Sequence, residues 1–198
     1  MKRIKYILPV MLLMLFSIVT VEKAQAETLN GQMGDTAYWT YDTDTKIFSI
    51  TGEGDLYDIS AYSEEHADLY DIYQELKVIK IGKDIDYVGQ RTFIPLNYDN
   101  NIKVIIYGDI DNFAQGSLRR FSTIVLHGNA ETLGQAVDGW WNLKKIKKSS
   151  DNDKVSIKNG MVMSADETTL YFYFGKKKKL TIPDSVETIN KGNGFFLN

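Results

Sequence analysis

The sequence predicts a mainly β chain, a β-rich α/β fold: a short solenoid with one strand per turn, an N-terminal β-hairpin cap and one inserted β-hairpin. Three observations carry this. First, four related segments recur, "LKVIKIG", "IKVIIYG", "FSTIVLHG" and "LKKIKKS". They start at residues 76, 102, 121 and 143, so 26, 19 and 22 residues apart, which is the repeat length of stacked coils. Second, Ile85 and Val88 follow the turn residue Gly82 by three and six positions, and Val186 and Ile189 follow Pro183 by the same intervals. Third, Trp39 with Tyr41 and Phe48 with Ile50 alternate at period two around the polar turn 42–46, the pattern of a hairpin.

Residues 1–26 read as a secretory leader. "MKRIK" is a basic start, residues 6–21 are apolar, and "AQA" is a small-x-small pattern that places cleavage after Ala26. The apolar run is short for a membrane span and is broken by Pro9, so no stable membrane insertion is expected after cleavage. The mature chain is expected to be extracellular or associated with the cell surface. The leader holds four of the 23 basic and one of the 26 acidic residues, which leaves 19 against 25 and shifts the formal net charge from −3 to −6. That excess disfavours nucleic acid as a partner. Cysteine is absent, so the chain has neither a disulfide framework nor thiolate metal ligands, and packing alone must hold it together.

The next unit, residues 27–75, is the cap. A solenoid exposes the apolar end of its first coil, and a hairpin laid across that end covers it. Within "AYSEEHADLYDIYQEL", Tyr62, Leu69, Ile72, Tyr73 and Leu76 recur at helical intervals, which predicts a short helix before the first coil.

The solenoid spans residues 76–198. In its first coil Ile79 and Ile81 should face inward, with Leu76 packing from the bend and Lys77 and Lys80 toward solvent. Gly82, Gly108 and Pro183 end their strands, glycine by permitting the turn and proline by lacking a ladder donor. Ile85, Val88, Val186 and Ile189 are then expected to bury the return path. Further on, "VGQRTF" and "FAQGSL" set a small residue, Thr92 or Ser117, just before a large anchor, Phe93 or Leu118, and "LGQAV" at 133–137 is a looser version. Between 155 and 174, "VSIKNGMVMS" and "TTLYFYF" are strand-like and flank the turn "ADE", which predicts the inserted hairpin. "LTIPDSVETI" at 180–189 is read as the next coil. Phe195, Phe196 and Leu197 leave that coil without a polar seal, so either the array is incomplete or these residues fold back over it.

The coils resemble those of the BspA-like leucine-rich-repeat proteins, bacterial surface and secreted proteins whose repeats read approximately "L-x-x-I-x-I-P-x-x-V-x-x-I-G-x-x-A-F". "LTIPDSVETI" is close to that motif and "VGQRTF" matches its "IGxxAF" part. "NGMVMSADETTLYFYFGKKKKLTIP" resembles the hairpin that such proteins insert between repeats, and "WTYDTDTKIFSITGEGDL" resembles their N-terminal cap. Thr92 and Ser117 stand where the family has alanine, and the middle coils lack the proline. The resemblance implies a leucine-rich-repeat fold and a role in adhesion or surface interaction.

Enzymatic motifs are sparse. "GEGDLYD" lacks the third glycine and following helix of a dinucleotide fingerprint and is expected to be a turn. His66 and His127 lie on different elements, and no G-x-S-x-G elbow is present. "DTD", "DID" and "DND" fit turn hydrogen bonding, and none matches an EF-hand loop. No catalytic residue, metal or cofactor is assigned.

Recognition remains, with two candidate surfaces. Lys77, Lys80, Lys103, Lys144, Lys145 and Lys147 lie in or beside strand segments, where a solenoid gathers them on one face. They serve either to bind an anion or to block edge-to-edge strand pairing. Trp140 and Trp141 are adjacent and on a strand would point opposite ways, one into the core and one free to stack on a sugar or a partner. The expected partner is an extracellular protein or an anionic glycan or polymer. Spacer repeats for a further domain and a carbohydrate-active protein are the alternative readings.

Overall fold

Alternating apolar and polar residues build the first layer. In the computed structural model, which describes residues 27–58, 67–93, 96, 101–137, 143–177 and 179–190, strands β1 (Thr28–Gln32), β2 (Thr36–Asp42) and β3 (Ile47–Leu56) form an antiparallel meander. Tyr41 lies opposite Phe48 and Trp39 opposite Ile50, all four buried, so the expected hairpin is present. Trp39 lies against Gly31 of β1, where a Cβ would meet the indole ring at 2.7 Å.

Gly52 and Gly54 do not form the expected turn between elements. They sit inside β3 with φ of +92° and +83°, a region glycine enters without steric penalty, and the strand bends there and continues to Leu56. The bend lets one strand pair in parallel with two successive strands of the first coil, β4 (Val78–Ile81) and β5 (Asp84–Val88). The cap therefore templates both sides of that coil. Between β3 and β4, helix α1 (Ala67–Glu75) buries Leu69, Ile72 and Tyr73, followed by Leu76. Tyr73 meets Phe48 edge-on, with ring centroids 5.8 Å apart.

From β4 a parallel ladder continues through β6 (Lys103–Ile106) and β8 (Thr123–Leu126) to β9 (Lys145–Lys148). Two rows face inward. One aligns Phe48, Ile79, Val104, Ile124 and Ile146, and the other aligns Ile50, Ile81, Ile106, Leu126 and Lys148. All but Lys148 are buried, each apolar side chain stabilising by about 1.5–3 kcal/mol relative to exposure. The return path stacks as well: β7 (Asn112–Phe113) pairs with β5, and Ile85, Val88, Ile110, Phe113, Ala130 and Leu133 are buried. Thr92, Ser117 and Ala136, the last in the short helix α2 (Leu133–Ala136), fill small buried positions beside Phe93, Leu118 and Val137.

The corner glycines serve a different purpose from the one expected. Gly82, Gly108 and Gly128 are not in the left-handed region; they are needed because the coils approach closely. A Cβ on Gly108 would lie 2.1 Å from the Lys83 carbonyl oxygen.

Among the described residues the ladder ends at β9. Lys148 occupies an inward position that is apolar in the four preceding strands, and its Nζ donates to the Asn152 carbonyl. The buried Asn152 Nδ2 donates to the Leu126 and Gly128 carbonyls at 3.0 and 2.8 Å, closing the corner. The inserted segment forms β10 (Val155–Lys158), β11 (Met161–Ser164) and β12 (Thr169–Tyr173), which with β13 (Thr188–Ile189) make a second sheet. "VSIKNGMVMS" is two strands, not one, because Asn159 and Gly160 have φ of +52° and +83° and form a tight Asn-Gly turn.

Residues 180–189 depart from expectation most. They do not stack on β9. Leu180, Ile182 and Val186 pack on a small core of Met161, Met163, Leu170 and Tyr173, while residues 188–189 add a parallel strand to β12. Ile189, expected to be buried, is 42% exposed, in a short strand that pairs with β12 instead of stacking on β9. The leader at 1–26, Tyr62, Trp140, Trp141 and residues 195–197 lie outside the described residues.

Candidate functional site

Residues that alternate with the buried rows point outward and form an open sheet face. One outward row aligns Ile47, Val78, Lys103, Thr123 and Lys145; the next aligns Ser49, Lys80, Ile105, Val125 and Lys147. One residue beyond the strands the ladder bonds persist. Tyr107 N–H donates to the Ile81 carbonyl (3.0 Å) and His127 N–H to the Ile106 carbonyl (2.8 Å), which sets Gly82, Tyr107 and His127 side by side in a third row. The Tyr107 and His127 rings lie 4.6 Å apart with planes at 31°. His127 Nδ1 is 3.4 Å from an Asp151 carboxylate oxygen.

The centre of this face is apolar and aromatic. Val78, Ile105 and Val125 are half-buried, and Tyr107 is 41% exposed. Four of the six candidate lysines surround it: Lys80 and Lys103 half-buried, Lys145 and Lys147 exposed. They do not make a continuous stripe. Lys80 and Lys147 are three strands apart, about 14 Å, and Lys103 and Lys145 two strands apart, about 10 Å, so screening separates them. Lys77 and Lys144 precede β4 and β9 at the bend, off the outward rows, and Lys144 Nζ donates to Asn101 Oδ1 at 2.6 Å. Trp140 and Trp141 lie outside the described residues.

Charge on the face opposes that of the chain. None of Lys80, Lys103, Lys145 and Lys147 makes an ion pair among the described residues. The acid on the adjoining outward row, Asp42, accepts the Thr45 and Asp44 N–H groups, and the Thr45 bond above all holds its carboxyl below the usual range. Its lone pairs are thus engaged in a turn. The lysines are legible in the sequence as site residues, whereas the places of Ile105, Val125, Tyr107 and His127 on this face follow only from the strand register. Their signal was the presence of apolar or aromatic residues at both strand parities in "IKVIIYG" and "FSTIVLHG".

Among the described residues there is no group of three or more His, Cys, Asp or Glu side chains that could hold a metal ion, and no helix long and apolar enough to cross a membrane. No protein-family model matches the chain, and no curated protein matches it. Among solved structures, a leucine-rich repeat protein from Eubacterium ventriosum is similar at 16% identity and a TM-score of 0.38. The match covers 85% of this chain and 57% of that one.

Proposed function

We propose that this chain is a secreted, non-catalytic leucine-rich-repeat module that recognises an extracellular protein or glycan through the outward face of its parallel ladder. The observation that carries the proposal is the placement of Ile105, Val125 and Tyr107 at the middle of that face. Parallel sheets ordinarily have both faces covered. An open apolar and aromatic centre within a charged rim has the anatomy of a recognition surface. Edge protection accounts for Lys145 and Lys147 on the terminal strand β9, but Lys80 and Lys103 sit on β4 and β6, which are paired on both sides. Those two favour binding. Release from the cell rests on the tripartite leader, and the repeat assignment on "VGQRTF" and the stacked inward rows.

The test is an array of extracellular-matrix proteins and oligosaccharides, probed with chain purified from culture supernatant. Intact mass should show cleavage after Ala26. Ile105→Glu should lose the spots that the unaltered protein binds, whereas Glu131→Ala, an exposed change on the return path, should keep them. Capture that survives Ile105→Glu, or no capture at all, rejects the proposal.

A further inference from the structure

The third outward row has a gap. Tyr38 of β2 lies opposite Thr51 of β3, and Tyr107 follows β6, but Gly82, one residue past the Ile50–Ile81 pair and next to Thr51, lies between Thr51 and Tyr107 and has no side chain. Tyr107 stacks on His127 on one side. Its other side borders the gap. Two strand spacings separate Thr51 from Tyr107, about 10 Å, so the gap is a slot with a backbone floor, an aromatic wall and a hydroxyl-bearing wall. A side chain is excluded from the floor, since a Cβ on Gly82 would lie 2.9 Å from the Ile50 carbonyl oxygen. Lys80 stands two residues earlier on the same strand, and Lys103 lies on the neighbouring strand. Neither has a carboxylate partner among the described residues.

We infer that this slot holds one acidic pyranose of an extracellular polysaccharide, its ring against Tyr107 over Gly82 and its carboxylate or sulfate against Lys80, whose charge Lys103, farther along the neighbouring strand, reinforces. The inference rests on the outward face being the binding surface and specifies its ligand. A pyranose offers a flat C–H face to the Tyr107 ring and hydroxyls to Thr51. The local excess of lysine in an acidic chain selects an anion. An extended peptide has no ladder to join, because the strands on either side of the slot are paired on both edges.

The probes are a sulfated heparin octasaccharide, an oligogalacturonate, neutral maltooctaose and polyphosphate, an anion with no ring to stack. Both acidic oligosaccharides should bind the full secreted chain, more weakly as salt rises, and maltooctaose should bind far less. Tyr107→Ala should weaken the acidic sugars by about tenfold, and Tyr107→Phe should not. Thr51→Trp, which fills the slot from its exposed far wall, should abolish their binding while leaving the melting temperature unchanged. Lys80→Gln with Lys103→Gln should weaken binding and flatten its salt dependence. Polyphosphate should respond to the lysine changes and not to Tyr107→Ala. Acidic sugars that bind Tyr107→Ala as tightly as the unaltered chain, maltooctaose that binds as well as they do, or no acidic sugar bound at all would overturn the subsite. If array proteins are still captured through Ile105, the subsite fails and the recognition face stands; if Ile105→Glu changes nothing either, both fail.

Discussion

A Cβ placed on Gly128 would stand 2.1 Å from the carbonyl oxygen of Gly108 in the preceding coil. The obstacle is backbone and cannot rotate away, so Gly128→Ala must force two coils apart. We expect destabilisation of about 3 kcal/mol or more in urea melts. Gly134 in α2 is the contrast, because a Cβ there would meet Phe172 at an ordinary 3.5 Å. Gly134→Ala should be neutral or stabilise by up to about 1 kcal/mol.

Strand facing gives a second pair. Ile79 is fully buried in the inward row between Phe48 and Val104, whereas Lys80 is on the outward row. Ile79→Asp should cost several kcal/mol, at least about 3, since it places an unpaired charge in the stack. Lys80→Asp should stay within about 0.5 kcal/mol. Equal shifts in the denaturant midpoint would mean that the faces are misassigned.

Asn152 closes the last corner of the ladder. Its Nδ2 satisfies the Leu126 and Gly128 carbonyls, and its Oδ1 accepts the Lys154 N–H at 2.9 Å. Asn152→Ala removes these bonds from the Gly128 carbonyl and the Lys154 N–H and leaves the Leu126 carbonyl only the Ser149 N–H, so it should cost about 1–3 kcal/mol. Asn152→Asp should be at least as damaging, because a carboxylate cannot donate to the two carbonyls. Hydrogen exchange should show the loss first in β8 and β9.

Acid should weaken the fold. Burial pushes the Asp109 carboxyl up, but its hydrogen bonds to Lys154 and the Asn129 N–H, together with the Lys154 charge, prevail and hold it below the usual range. Glu167 is lowered by Lys158 and then Ser156, and Asp166 by Ser164 and Thr168. A carboxyl lowered in the folded state stabilises fully above its unfolded value, about 3.9 for Asp and 4.3 for Glu, and stops doing so as pH falls through the folded value. Melting temperature should therefore be flat between about pH 7 and 5 and drop below about pH 4.5. Asp109→Asn should start lower and fall less steeply, and a parallel decline in both proteins would remove Asp109 from the explanation.

The sequence by itself determined which residues face the core. Period-two alternation marked Trp39, Tyr41, Phe48 and Ile50 in the hairpin and Ile79 and Ile81 in the first coil; helical spacing marked Leu69, Ile72 and Tyr73; all are buried. These are local properties, set by how successive side chains leave one strand or helix. Tertiary structure decided everything that depends on register between coils of unequal length. It brought Ile105, Val125 and the Tyr107–His127 pair together between Lys80 and Lys147, and it opened the slot over Gly82. It also carried β3 through Gly52 and Gly54 to template two strands. For residues 180–189 the repeat-like pattern was real, yet Leu180, Ile182 and Val186 joined the core of the inserted sheet. Lys148, at an inward position of β9, gives the physical reason: a coil stacked there would bury its charge against apolar side chains, and residues 180–189 pack their apolar side chains elsewhere.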